Sequence, residues 1–108
     1  MTSTECTPSV EVQTARRVLA ELAETGHEFL SRDRHLDVLL ALDNLEQASR
    51  GAWPPPPAAS GIADVAQALR EAQAALEAVL RDLANHDVNP LRTALALDHV
   101  CQALGRPS

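Results

Sequence analysis

Apolar residues recur at spacings of three and four along most of this chain, most regularly between residues 62 and 83. There Ile62, Leu69, Leu76 and Leu83 repeat every seven residues, and Val65, Ala72 and Val79 follow the first three of them by three. A 3.6-residue helix gathers such positions into one stripe. Arg70, Glu71, Glu77, Arg81 and Asp82 fall off that stripe, so a helix with one wet face is predicted, capped by Ser60. Three further segments read the same way. Thr7 before Pro8 offers a cap with proline at the first helical position, and Val12, Ala15, Leu19 and Leu22 then define a helix over about Pro8–Glu24. The second helix has two candidate starts. Thr25 with Glu28 forms a capping box, whereas Ser31 as cap leaves Gly26–Leu30 as a loop; either way Leu36–Ala48 is helical and stops near Gly51. Asn89 capping Pro90 opens a fourth helix, which carries Leu91, Leu95, Leu97, Val100, Cys101 and Leu104 and stops at Gly105.

The stretch from Gly51 to Gly61 breaks the pattern, because Trp53-Pro54-Pro55-Pro56-Pro57 cannot be helical and favours polyproline II. At ~3.1 Å per residue the four prolines reach about 12 Å, the scale of a step between neighbouring helices at one bundle end. A bridge with Trp53 folded over the end of the bundle is the simpler expectation; a ligand for a proline-binding domain is the other.

The second and fourth helices are also alike. Ala41-Leu42-Asp43-Asn44-Leu45-Glu46-Gln47-Ala48 matches Ala96-Leu97-Asp98-His99-Val100-Cys101-Gln102-Ala103 at five of eight positions, an offset of 55. Setting Val18–Ala23 on Val79–Ala84 gives an offset of 61 for the first and third helices, which would put six extra residues around His27–Arg34. Two similar hairpins, each with an apolar stripe, bury those stripes by packing face to face. The expected fold is therefore all-α: a four-helix up-down-up-down bundle of two helical hairpins joined by a proline-rich spacer. Its parts are a leader at 1–7 and one domain at 8–106, with hairpins at about 8–50 and 61–105 and the spacer at 51–60. Packing against a second copy is the alternative to packing within the chain.

Composition sharpens this picture. Phe29 and Trp53 are the only aromatic residues, so Leu, Val and Ala must fill the core, as suits close helix packing. A net charge of −6 argues against nucleic acid or an anionic membrane surface as a partner, since both are bound by clustered positive charge. All nine basic residues other than His are Arg, as in coding sequences of high GC content. No apolar run nears the ~20 residues that span a bilayer, and no signal-peptide pattern opens the chain, so a cytoplasmic location with Cys6 and Cys101 as free thiols is expected.

Candidate chemistry is sparse. Glu24-Thr25-Gly26-His27 has the Glu-x-x-His spacing of di-metal bundles, but Gly26 interrupts the helix and further glutamates are missing. His35 and His99 lack the neighbouring cation and small residue that a phosphoryl-accepting histidine needs, and His86 is placed to pair with Asp82 at i,i+4. Cys101, among apolar residues, reads as a small buried hydrophobe. Asp43 with Gln47 and Asp98 with Gln102 recur beside the apolar face in both halves, either facing each other inside the bundle or stabilising their own helices at its wet edge. Leu36 and Leu40 depart from the face shared by Val38, Leu39 and Leu42, an apolar surplus of the kind that binds partners.

The expected function is a small acidic helical interaction protein without catalysis, cofactor or metal. It would bind a protein partner or itself, as a homodimer, through Leu36, Leu40, Trp53, Leu91 and Leu95. The other expectations are a small-molecule- or metal-binding bundle centred on Asp43, Asp98 and His99, and an acidic partner that neutralises a basic protein in an antitoxin-like or anti-regulator role.

Overall fold

The computed structural model describes residues 9–25, 30–48, 64–86 and 88–105. Four α-helices dominate them: α1 Val10–Thr25, α2 Arg32–Gln47, α3 Val65–Arg81 and α4 Pro90–Gly105, with one 3-10 turn at Leu83–Asn85. Of the described residues 88% are helical, and the fold is an all-α four-helix bundle. Each helix starts where a short polar side chain takes an otherwise unpaired amide. Ser31 Oγ accepts the Arg34 amide at 3.3 Å, Asp64 Oδ1 the Gln67 amide at 3.2 Å, and Asn89 Oδ1 the Arg92 amide at 3.1 Å. Ser31, not Thr25, thus begins α2. Two expected caps are displaced inward: Ser9 Oγ receives the Val12 amide at 3.3 Å where Thr7 was expected to cap, and Asp64 takes the role expected of Ser60. Thr7, Pro8, Ser60 and Ile62 lie outside the described residues.

The two hairpins pack face to face, α1 on α3 and α2 on α4. Leu19, Leu22, Val38, Leu45, Leu69, Leu76, Val79 and Val100 are fully or almost fully buried between them, with alanines 15, 41, 72, 96 and 103 filling the gaps. Phe29 and Trp53 lie outside the described residues.

Helix directions follow from pairwise contacts. Arg16 meets Glu46 and His35 meets Ala23, so α1 and α2 are antiparallel. The Asn89 amide donates to the Ala48 carbonyl at 2.8 Å and Arg34 Nε to the Ala103 carbonyl at 2.8 Å, so α2 and α4 are antiparallel. His86, five residues past the end of α3, is 2.9 Å from Ser9 Oγ at the start of α1, so α3 ends where α1 begins. The chain therefore runs up, down, down, up. Strict alternation was expected, with a spacer crossing one end of the bundle; instead Ala48 and Asp64 stand at opposite ends. A 16-residue helix is about 24 Å long, twice the span of four prolines, so the separation of Ala48 and Asp64 exceeds the step across one bundle end that was expected. All neighbouring helices still oppose one another.

Contacts repeat between the hairpins. Adding 55 to Asn44 and Asp37 gives His99 and Arg92, and the pairs Asn44–Arg92 and Asp37–His99 both form, at 3.1 and 3.3 Å. The same shift carries Arg34–Ala103 onto Asn89–Ala48. Arg16 on α1 holds Glu46 on α2, and Gln73 on α3 meets Cys101 on α4 at 3.4 Å. That last correspondence shifts α1 by 57. Burial agrees, pairing Val12 with Leu69, Ala15 with Ala72, Leu19 with Leu76 and Leu22 with Val79. The offset of 61 read from the sequence is one helical turn too long. It set Leu22 against Leu83, which lies beyond α3 and is 36% exposed. The first hairpin thus holds two extra residues rather than six.

Ala41 and Ala96, both fully buried, face each other where α2 and α4 cross. Ala41→Leu or Ala96→Leu should overpack this crossing and cost about 1–3 kcal/mol, read as a lower urea midpoint. Ala74→Leu, on the exposed side of α3, should leave the midpoint nearly unchanged.

Candidate partner-binding face

The layer formed by α2 and α4 has a polar seam on its inside and a leucine face on its outside. The seam comes from residues spaced by three and four: Arg34, Asp37, Ala41, Asn44 and Ala48 on α2 against Asn89, Arg92, Ala96, His99 and Ala103 on α4. Arg34, Asp37 and Asn44 are buried, as is Thr93 beside them. Burying such groups is tolerable only when they are hydrogen-bonded. Arg34 donates to the Ala103 carbonyl, Asp37 holds His99, and Arg92 Nη1 donates to Asn44 Oδ1 while Asn44 Nδ2 returns to the Leu40 carbonyl at 2.9 Å. Thr93 Oγ1 donates to the Asn89 carbonyl at 2.9 Å. Among the described residues no buried side-chain nitrogen or oxygen lacks a partner.

Outside the layer the pattern inverts. Seven large apolar residues are exposed among those described, and five of them, Leu36, Leu39, Leu40, Leu91 and Leu95, lie on α2 and α4. At about 100° per residue, Leu40 and Leu36 sit about 100° and 140° around α2 from Ala41. That is away from the side on which His35 and Glu46 reach α1. Leu95 and Leu91 hold the same angles relative to Ala96 on α4. Leu36, Leu40, Leu91 and Leu95, at 52, 37, 67 and 36% exposure, therefore share one outer face. In the antiparallel register Leu40 and Leu95 lie near its centre and Leu36 and Leu91 near opposite ends, making a diagonal.

The two polar pairs fill the remaining corners of that face. Gln47 Nε2 donates to Asp43 Oδ2 at 2.7 Å, and Gln102 Nε2 to Asp98 Oδ2 at 2.7 Å; all four residues are exposed. They do not meet inside the bundle. The groups that do meet there are Asp37 with His99 and Asn44 with Arg92; of these His99 alone is singled out by the sequence, although the spacing by seven around Ala41 and Ala96 marks a seam. Trp53 lies outside the described residues.

Other sequence-level candidates separate. His35 Nε2 is 3.0 Å from the Ala23 carbonyl, and His86 contacts Ser9. His86 stands beyond the end of α3, off the helical register that would have set it over Asp82. Cys101 is exposed rather than buried, because α4 buries Thr93, Ala96, Val100 and Ala103 and turns Leu91, Leu95 and Cys101 outward. Leu39 likewise lies outside rather than with Val38. No group of three or more His, Cys, Asp or Glu among the described residues is placed to hold a metal ion, and no described helix is long and apolar enough to cross a membrane.

The offset of 55 also reveals which parts of the layer are the same in both halves. Leu36, Leu40, Asp43 and Gln47 correspond to Leu91, Leu95, Asp98 and Gln102, identical at these four outer positions, whereas the exposed pairs to their side, Leu39 with Ala94 and Glu46 with Cys101, differ. In the seam only the alanines are shared: Arg34, Asp37 and Asn44 correspond to Asn89, Arg92 and His99. Comparison with protein-family models, curated proteins and solved structures finds no match to this chain.

The two polar contacts of the seam stand about 10 Å apart along the helices, seven residues at 1.5 Å. Double-mutant cycles on Asp37/His99 and on Asn44/Arg92 should each give coupling of about 0.5–3 kcal/mol. A cycle crossing the pairs, Asp37 with Asn44, should be additive within about 0.5 kcal/mol. Denaturant titrations of the alanine variants read both.

Proposed function

We propose that this chain is a non-enzymatic protein-binding module that docks through the outer face of α2 and α4. One observation carries the reading. Solvent-facing positions are the least constrained by folding, yet the four outer positions are identical in the two halves while the polar seam beneath them is not. Packing does not require this, because a buried site constrains its occupants more tightly than an exposed one. Binding supplies the missing constraint. Partly exposed leucines clustered on one face, rimmed by Asp and Gln, have the layout of an apolar interface centre with a polar rim.

The described interior gives less support to a small-molecule or metal site. Asp43 and Asp98 lie outside the bundle, and the seam that holds His99 has its buried polar atoms paired. A basic protein is the second reading, favoured by four exposed carboxylates on these two helices, Asp33, Asp43, Asp98 and the Arg16-bound Glu46, against one exposed cation, Arg32. Such a partner would bind in a salt-sensitive way.

The test is site-specific photo-crosslinking in the source cell, with a benzophenone side chain at position 39, beside the leucine diagonal, or at position 74 on the exposed side of α3. A discrete protein adduct from position 39, absent from position 74 and lost when Leu40→Glu and Leu95→Glu are added, is the expected result. Equal adducts from both positions, or none from position 39, would overturn the reading.

A further inference from the structure

We infer that the occupant of this face is a second copy of the chain, docked through a two-fold axis lying in the plane of the face. The inference rests on the reading that the α2–α4 layer is a docking surface, and it names the partner. The internal two-fold relating the hairpins passes between Ala41 and Ala96, normal to the layer, and carries Leu36 and Leu40 onto Leu91 and Leu95. A single helix or loop has a direction, so it cannot present the same groups to both halves. A second copy can, because its own face carries the same pair of halves, and such an isologous contact closes at two subunits.

The layout of the face fits this pairing. An axis along the leucine diagonal lays the leucine row of one copy on that of the other, while Asp43 with Gln47 and Asp98 with Gln102 remain at the corners. The extent is also adequate. Two helices side by side span about 20–24 Å, and 16 residues span about 24 Å. That gives roughly 500 Å² of projected area, whose accessible surface approaches the ~800 Å² per partner of a standard interface. Charge sets the sign of the salt response. Each copy carries a net −6, with exposed carboxylates on the docking face, so association works against like-charge repulsion that salt screens. Self-association should therefore tighten with salt, whereas binding of a basic partner would weaken.

Sedimentation velocity on the full chain decides the matter, over about 2–200 µM, the range in which an interface of moderate strength titrates, at low and at high NaCl. The expected result is a monomer–dimer equilibrium in the micromolar range that tightens at high salt. Leu40→Glu with Leu95→Glu should weaken it at least tenfold, Asp43→Asn with Asp98→Asn should strengthen it a few-fold, and Leu83→Glu, exposed but off the face, should not change it. Circular dichroism establishes that each variant is folded. Should the glutamate pair unfold the chain, Leu40→Gln with Leu95→Gln gives the same readout.

A chain that stays monomeric throughout overturns the inference, as does a dimer indifferent to the Leu40 and Leu95 substitutions or equally weakened by Leu83→Glu. The two levels separate cleanly. A monomer whose position-39 crosslinker captures a different protein removes the second copy and leaves the docking face. A monomer with no adduct removes both.

Discussion

The close approach of α2 and α4 over Ala41 and Ala96 is the constraint from which the rest of the structure follows. Two helices that meet through alanine leave no space for leucine at the crossing. The seam must then be filled on either side by groups that pair across it, and Asp37–His99 and Asn44–Arg92 do so about two helical turns from each other. Large apolar residues that a looser interface would have swallowed stay outside. Leu36, Leu40, Leu91 and Leu95 are thus not a failure of the core to close; they are the complement of an inner surface already occupied by small and polar groups. A polar seam of this type adds little net stability over an apolar one, since desolvation consumes most of the gain. What it supplies is register. Sliding α2 by one turn against α4 would leave Arg34, Asp37 and Asn44 buried without their partners.

Much of the architecture could be read from residues alone, and the reasons differ by element. Helix α3 was the clearest, because Leu69, Ala72, Leu76 and Val79 lie in one stripe and all are buried. Asn89-Pro90 marked the start of α4 because cap and proline address the same unpaired amides. In helix α4 the core line was not legible from the large residues: Cys101 is expected inside and is exposed, whereas the buried line is Thr93, Ala96, Val100 and Ala103. Burial there was decided by how near the neighbouring helix comes, which single-residue hydrophobicity does not encode. The same cause moved Leu39 outward. Direction was illegible for another reason: a connection of fifteen residues is long enough to join either the same end or opposite ends, and loop-closure entropy grows too slowly with length to choose between them.

Outer-face residues were legible as an apolar surplus, but not as one surface. Seeing Leu36, Leu40, Leu91 and Leu95 together requires the antiparallel register, which the contacts of Arg34 and Asn89 fix. The Asp–Gln pairs were legible as a recurrence while their location was not, because a residue beside a predicted stripe can turn either way until the neighbouring helix is placed.

The two hairpins repeat their geometry while changing its chemistry. A buried arginine bound to a carboxylate at Arg16–Glu46 corresponds to an amide beside a thiol at Gln73–Cys101, and an Asp–His contact corresponds to an Arg–Asn contact. Pairs so different in charge cannot be the cause of a shared geometry; small residues at matched positions, Ala15 with Ala72, Ala41 with Ala96 and Ala48 with Ala103, are common to both halves and can be. Backbone approach sets where side chains meet, and each half then satisfies its contacts with whichever donors and acceptors it carries. The outer face follows another rule: Leu36, Leu40, Asp43 and Gln47 are exposed, and they recur unchanged as Leu91, Leu95, Asp98 and Gln102, with the Asp–Gln hydrogen bond repeated in both halves. Close helix approach thus accounts for the shared alanines and leaves the polar pairs free to vary, while it places no demand on the recurrence of the leucines and Asp–Gln pairs on the outer face.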